Sequence, residues 1–329
     1  MDRQARVYVA GGRTLIGAAL LRVLAQQGYR NIVGKPGDEP DLTSASQVEA
    51  FWARTAPEYV FVAAGKTGGI QANQQHPADL MHDNLSIQGH VIQSAHRYGV
   101  RKLLYLASSC SYPRHCAQPM RPESLLTGPL EPTNQAYAVA KIAGIVLCQA
   151  YRQQDAAPFI SAIPANPFGP GDDFRLEESH VIPALIRRTH EAKRQGAPAV
   201  TIWGTGTARR EFIFADDLAD ACVFAMRHYD GWEPINLGGG GDRTIEALAT
   251  DIKDVVGYQG ELRFDATKPD GMPVKVLDAS ILQGLGWSPS TPFRQALAAT
   301  YRWFLAHEAS DAASFSDSIA EQDKVTAHV

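Results

Sequence analysis

The stretch Arg6-Val7-Tyr8-Val9-Ala10 is a short apolar run that meets Gly11-Gly12 and passes into a helical pattern reaching about Gln27. Strand, glycine turn, helix is a restrictive order. A strand feeding a helix returns to the same sheet as a right-handed crossover to a parallel neighbour. Further strands fit Asn31-Ile32-Val33, Tyr59 to Ala64, Lys102 to Ala107 and Pro158 to Ile163. Helical stretches span Pro77 to Tyr98 and Ala136 to Gln153. The strand runs lack strict alternation, as expected where helices cover both faces of a parallel sheet. The expected fold class is therefore α/β, a doubly wound parallel sheet.

The rhythm becomes irregular after Asn166-Pro167-Phe168-Gly169-Pro170-Gly171. A helix is expected over Val181 to Gln195, with Pro183 in its first turn, and a strand over Ala199 to Trp203. A helix over Asp216 to His228 would return to the first lobe. This reading gives a dinucleotide-binding lobe at 1–168, with a return segment near 212–240. A smaller α/β substrate lobe follows at 169–307, then a mobile tail at 308–329.

At 329 residues the chain exceeds one simple core. A net charge of −4 gives no electrostatic reason to expect nucleic acid or an anionic membrane as partner. No apolar run is long enough to span a bilayer, and the first residues show no signal peptide, so a cytoplasmic location is expected. Cys110, Cys116, Cys148 and Cys222 lack CxxC spacing and suggest neither a metal site nor a disulfide framework.

Gly11-Gly12-Arg13-Thr14-Leu15-Ile16-Gly17 follows the first strand and opens the first helix. The free amides at that helix start, at Leu15 and Ile16, suit a pyrophosphate, and glycines allow close approach. Thr14 stands where GxxGxxG has its middle glycine, and its β-carbon would crowd phosphates unless the turn shifts toward Gly12. Where a 2′-hydroxyl reader would carry an acid, the chain has Gly34-Lys35. Arg13 and Lys35 there suit a 2′-phosphate, which points to NADP rather than NAD; as an alternative, both are solvated surface cations. Asp41-Leu42 would lie beside the adenine, or Asp41 would cap the helix after Thr43.

Tyr137 and Lys141 lie four apart, so one helix face carries a phenol and an ammonium. A nearby cation favours phenolate, which makes Tyr137 a proton relay, and Lys141 is expected to lower its pKa. Ser108 and Cys110 follow a strand end, where sites of open α/β sheets lie. Cys110 and His180 both exchange protons near neutral pH; the plain alternatives are a small buried hydrophobe and a structural helix-start residue. Arg188 and Arg210 are either surface charges or bidentate partners for a diphosphate, and Trp203 is either core or a platform for a base.

The glycine turn, Ser108-Ser109-Cys110-Ser111-Tyr112-Pro113, the Tyr137/Lys141 pair and Asn166 to Pro170 resemble an extended short-chain dehydrogenase/reductase. Lys66 to Asn73, Leu130 to Asn134, Ser179 to Leu185, Trp203 to Thr207 with Arg210-Glu211-Phe212, and Lys268 to Gly271 are similar to the GDP-L-fucose synthase family. The resemblance covers about residues 5 to 307. It implies a Rossmann-type lobe binding NADP(H) through Gly11, Arg13, Thr14, Leu15, Ile16, Gly17, Lys35, Asp41, Leu42, Ala63, Ala64, Lys141, Asn166 and His180. It implies that Ser108 and Tyr137 address a C4 carbonyl and that Lys141 holds the nicotinamide ribose. Cys110 and His180 would form the epimerisation pair, and Arg188, Trp203, Arg210 and Lys275 would contact the nucleotide sugar. The implied activity is 3,5-epimerisation and NADPH-dependent 4-reduction of a GDP-4-keto-6-deoxy sugar. Synthesis of GDP-colitose or another GDP sugar, and a non-catalytic dinucleotide sensor, are the alternatives. Glu178 departs from the family's more usual Asn and would raise the pKa of His180. A homodimer is implied, with Ile142, Val146 and Ala150 as an apolar stripe.

Overall fold

A computed structural model describes residues 1–175, 179–239, 241–268 and 270–308, with the backbone alone for Ile70 and Gln71. Glu178 and the tail beyond Glu308 lie outside the described residues.

In chain order the elements begin β1 (Val7–Ala10), α1 (Leu15–Gln26), β2 (Ile32–Val33), α2 (Ala45–Thr55), β3 (Tyr59–Val62), α3 (Ile70–Gln75), α4 (Pro77–Arg97) and β4 (Lys102–Leu106). They continue with α5 (Gln135–Asp155), β5 (Phe159–Pro164), β6 (Asn166–Phe168), α6 (Val181–Gln195), β7 (Ala199–Trp203), β8 (Arg209–Phe214) and α7 (Ala215–His228). The last are β9 (Ile235–Leu237), β10 (Asp242–Thr244), α8 (Ile245–Val256), β11 (Glu261–Asp265), β12 (Val274–Lys275), α9 (Ser280–Gly284) and a closing helix α10 over 293–308.

The main sheet has the order β2-β1-β3-β4-β5-β9 and is parallel throughout. Every residue of β1, β3, β4 and β5 is buried, which accounts for their continuous apolar runs. Chain direction across the sheet reverses between β1 and β3. That switch leaves a crevice at the strands' carboxyl ends, where ligands of such sheets bind. Helix α7 and strand β9 return to this layer. Asp216 accepts from Arg22 of α1 at 2.5 Å, and Asp220 accepts from Gln27 at 2.8 Å.

A second core gathers Phe168, Phe174, Ile182, Leu185, Ile186, Ile202, Phe212, Leu248, Ile252 and Leu297. Its elements are anchored by local chemistry. Thr244 caps α8 by accepting from Ala247 N, and Gly196 and Gly257 end α6 and α8 in the left-handed region. Strand β8 joins three others: β6 and β12 run parallel to it and β10 antiparallel. Strands β7 and β11 form a separate parallel pair. The two- and three-residue strands β6, β10 and β12 escape the sequence reading, because such lengths carry no periodicity.

Helices α4 and α5 lie together over β4. Gln88 donates to Ala140 O at 2.7 Å and accepts from Tyr105 Oη at 2.6 Å. Tyr105 is fully buried, and its ring occupies the space a β-carbon on Gly144 would need. Gly144→Ala should therefore drive α5 off β4 and cost about 1–3 kcal/mol of stability, read as a lower denaturation midpoint at unchanged slope.

Candidate active site

The glycine turn closes more tightly than its spacing suggests. At φ +86, Gly11 lies so close to the end of β3 that a β-carbon would stand 2.6 Å from Ala64 N and Cα. A β-carbon on Gly17 would collide with Gly11 O. Thr14, by contrast, needs no glycine. It sits at φ −72 as the N-cap of α1, donates to Gly11 O at 2.9 Å and accepts from Gly17 N at 3.0 Å. Its side chain is thus turned into the turn, and the expected crowding of phosphates does not arise. The Leu15 and Ile16 amides open α1, where helical geometry supplies no acceptor. The side chains of Arg13 and Lys35 are exposed and, among the described residues, make no ion pair or hydrogen bond. Ala63 O accepts from Thr14 Oγ1 at 3.3 Å. Asp41 accepts from both N and Oγ1 of Thr43, so it shapes a turn, and Leu42 O faces His90 Nδ1 at 3.0 Å. Asn166 Nδ2 donates to Glu211 O at 2.7 Å. A turn that a β-carbon would fill, free amides and two uncommitted cations together fit a phosphorylated dinucleotide.

Ser108 follows β4, and its Oγ accepts from Cys110 N at 3.2 Å. Tyr137 enters from the first turn of α5 and is buried. Burial pushes its pKa up to about 12, the Cys110 side chain adds to the rise, and hydrogen bonds with Ser108 and Thr67 oppose it. Lys141 lies one turn further along α5. Its Nζ donates to Leu106 O at 3.2 Å and stands 5.4 Å from the centre of the Tyr105 ring. Burial lowers its pKa from 10.5 to about 8. The expected lowering of Tyr137 by Lys141 is corrected here: Lys141 is not among the groups that move Tyr137, and burial outweighs charge at both. Tyr137 accordingly holds its proton at neutral pH and is poised to donate it.

On the other side of Tyr137, two donors converge on Cys110 Sγ: Asn134 Nδ2 at 3.2 Å and Lys275 Nζ at 3.6 Å. Strand β12 brings Lys275 in by pairing with β8, where Lys275 lies opposite Arg210. His180 occupies the N-cap position of α6, yet its side chain makes no capping bond. Lost hydration against the surrounding protein lowers its pKa first, Lys275 lowers it further, and Asp173 opposes. Ser108, Cys110, Tyr137, Lys141, His180 and Lys275 therefore form one linked neighbourhood.

Three residues expected to contact the substrate lie on α6, β7 and β8. Arg188 is half-buried on α6 and has no ionic or hydrogen-bonded partner among the described residues. Arg210 donates to Met272 O at 2.5 Å and to Arg209 O at 2.8 Å, so part of its guanidinium holds the loop before β12. Trp203 is 61% exposed with Lys268 Nζ 5.5 Å from its ring centre, so the core alternative falls. Sequence reasoning missed Thr67, Asn134 and Glu39. The first two lay within stretches that carried the family resemblance, but only folding brings them to Tyr137 and Cys110.

A model described as the NAD dependent epimerase/dehydratase family matches residues 7–238. GDP-L-fucose synthase 1 of Arabidopsis thaliana is 52% identical over 304 residues, 92% of this chain and 94% of that one. GDP-L-fucose synthase of Escherichia coli (strain K12) is 46% identical over 317 residues, 94% of this chain and 98% of that one. Among solved structures, a GDP-L-fucose synthetase from Naegleria fowleri bound to NADP aligns with a TM-score of 0.86 at 27% identity, covering 94% of this chain and 96% of that one.

Lys141 yields a pH prediction with a definite sign. Its folded pKa of about 8 lies below its ordinary 10.5, so the unfolded chain binds the extra proton more tightly. The buried ammonium thus costs stability below pH 8, and the cost fades as pH rises from 8 toward 10.5. At about 1.4 kcal/mol per tenfold change in proton affinity the cost is about 3 kcal/mol, part of it offset by the bond to Leu106 O. Lys141→Met should therefore raise the thermal midpoint of the ligand-free protein at pH 7, with a gain that shrinks by pH 10.

Proposed function

We propose, from the premise that this chain belongs to the NAD dependent epimerase/dehydratase family, that it is an NADP(H)-dependent epimerase and reductase converting GDP-4-keto-6-deoxy-D-mannose to GDP-L-fucose. Its place of work is the cytoplasm; no helix among the described residues is long and apolar enough to cross a membrane. The observation that carries the reading is the hydrogen-bonded meeting of Tyr137, Ser108 and Thr67 beside Cys110, with Lys141 one turn below.

The chemistry asks for what these side chains offer. A 4-keto sugar has acidic hydrogens at C3 and C5, both next to the carbonyl. Removing either makes an enolate oxygen, and the Ser108 and Tyr137 hydroxyls are donors aimed at such an oxygen. Cys110 and His180 exchange the protons; His180 is held neutral at pH 7 and is ready to accept one. Lys275 touches Cys110 and lowers the proton affinity of His180, so one cation serves both residues. Bound NADPH supplies the hydride that reduces C4. Tyr137, protonated at neutral pH, gives its proton to the carbonyl oxygen, and the hydrogen bonds from Ser108 and Thr67 stabilise the phenolate left behind. Arg188 and Arg210 would take the diphosphate and Trp203 the guanine, while Arg13 and Lys35 would take the 2′-phosphate.

The enzyme acts as a homodimer through α4 and α5. The expected stripe needs one change: Ile142 is buried within its own chain, and the exposed apolar positions are Val139 at 37%, Val146 at 46% and Leu85 at 37%. Val139→Lys with Val146→Lys should yield a monomer by sedimentation velocity, and an unchanged dimer would exclude this face.

Mixing the protein with NADPH and GDP-4-keto-6-deoxy-D-mannose should give GDP-L-fucose by NMR. Tyr137→Phe should slow turnover by about 10²–10⁴-fold, the usual worth of a positioned proton donor. A 4-reduced product with C3 or C5 uninverted, or no oxidation of NADPH, would contradict the proposal.

A further inference from the structure

Glu39 has no part in the chemistry above, yet it is bound directly to the glycine turn. Its Oε1 accepts from Gly11 N at 2.6 Å and from Tyr8 Oη at 3.1 Å, and Gly12 N also bonds the carboxylate. Burial raises its pKa, while Gly11, Tyr8, Gly12 and then Arg13 pull it down.

These bonds fix a loop. Gly34, at φ +67, lies against the Tyr8 ring, where a β-carbon would be 2.5 Å from Cε2. Segment 34–39 is therefore held at its start by the face of Tyr8 and at its end by the Tyr8 hydroxyl and Gly11 N. In between it packs on the turn: a β-carbon on Gly12 would lie 3.6 Å from Pro36 Cδ and 3.8 Å from Gly34 O. Lys35 sits on this pinned segment. Strands β1 and β2 are parallel neighbours with Tyr8 opposite Val33, so Arg13 and Lys35 both follow the carboxyl ends of adjacent strands. Neither side chain has an ion pair or hydrogen bond among the described residues.

We propose that Glu39 is a positioning residue for cofactor selectivity: it ties segment 34–39 to the glycine turn, so that Lys35 stays beside Arg13 and the two cations meet a 2′-phosphate together. This rests on the reading that the chain binds NADPH. A carboxylate near a phosphate would ordinarily oppose it. Here its lone pairs are engaged by two backbone amides and a phenol, and the gain is a loop that needs no ordering when the dinucleotide binds.

The test is direct binding of NADPH and NADH, read from the fluorescence of the bound reduced nicotinamide and not from turnover. Glu39→Ala should weaken NADPH about tenfold more than NADH, the size of one lost hydrogen bond to a charged group. Glu39→Gln should keep the wild-type ratio, because an amide oxygen in the place of Oε1 still accepts from both Gly11 N and Tyr8 Oη. Lys35→Met should reproduce the selective loss, and adding it to Glu39→Ala should change the ratio little further. Equal weakening of both dinucleotides would overturn the proposal. So would selective loss of NADH, which would make Glu39 a ribose-hydroxyl reader. Tighter NADPH binding by Glu39→Gln would overturn it too, by making the carboxylate a repulsive charge. A wild-type protein that binds neither dinucleotide would remove the underlying reading itself.

Discussion

The Lys141 ammonium is buried without an acidic partner among the described residues, and much of the molecule is arranged around holding it there. Among the described residues its Nζ donates to Leu106 O, at the end of β4, and lies beside the Tyr105 ring. Those two contacts require α5 to lie close on β4, which the absent side chain of Gly144 permits. They also require Tyr105 to be locked, which Gln88 of α4 provides. A charge kept in a dry site costs stability, and proteins retain such costs where function uses them. Here the same placement sets a cation one helical turn below a phenol that burial keeps protonated.

The second half of the site depends on strand β8. Its two faces divide the work: Arg210 holds the loop before β12, and Glu211 is buried. The Glu211 carboxylate accepts from Gly239 N and Leu277 N, each at 2.8 Å, so it fixes the loop after β9 and the chain after β12. Lys275 lies two residues before Leu277 and is thereby delivered to Cys110. One core thus presents Ser108, Cys110, Tyr137 and Lys141, and the other presents Lys275 and His180 against them.

Much of this was legible beforehand, and the limits follow from physics. Strands β1, β3, β4 and β5 showed as apolar runs because helices cover both faces of the sheet. Helix α6 ran between the residues expected, with a proline at its start and a glycine at its end. Tyr137 and Lys141 were visible as a pair because helical spacing is local. Their electrostatics were not, since burial is a property of the whole fold and it reversed the expected shift at Tyr137. Thr14 looked like a defect because its role as an N-cap needs backbone angles that a motif does not record. Ile142 looked exposed on spacing alone, but the packing of α5 turned it inward. Thr67, Asn134 and Glu39 could not be found, because each reaches its partner only after separate loops close.

The central claim is that one pocket performs two separable proton tasks at a single ketone, with Cys110 serving carbon and Tyr137 serving oxygen. The most direct measurement is NMR of the GDP-4-keto-6-deoxy sugar incubated in D₂O with Cys110→Ser, followed by reduction of an already inverted ketone by the same variant. The account predicts that deuterium fails to enter C3 and C5 while reduction of the inverted ketone proceeds. Deuterium entry at the wild-type rate, or loss of both reactions together in a folded variant, would contradict it.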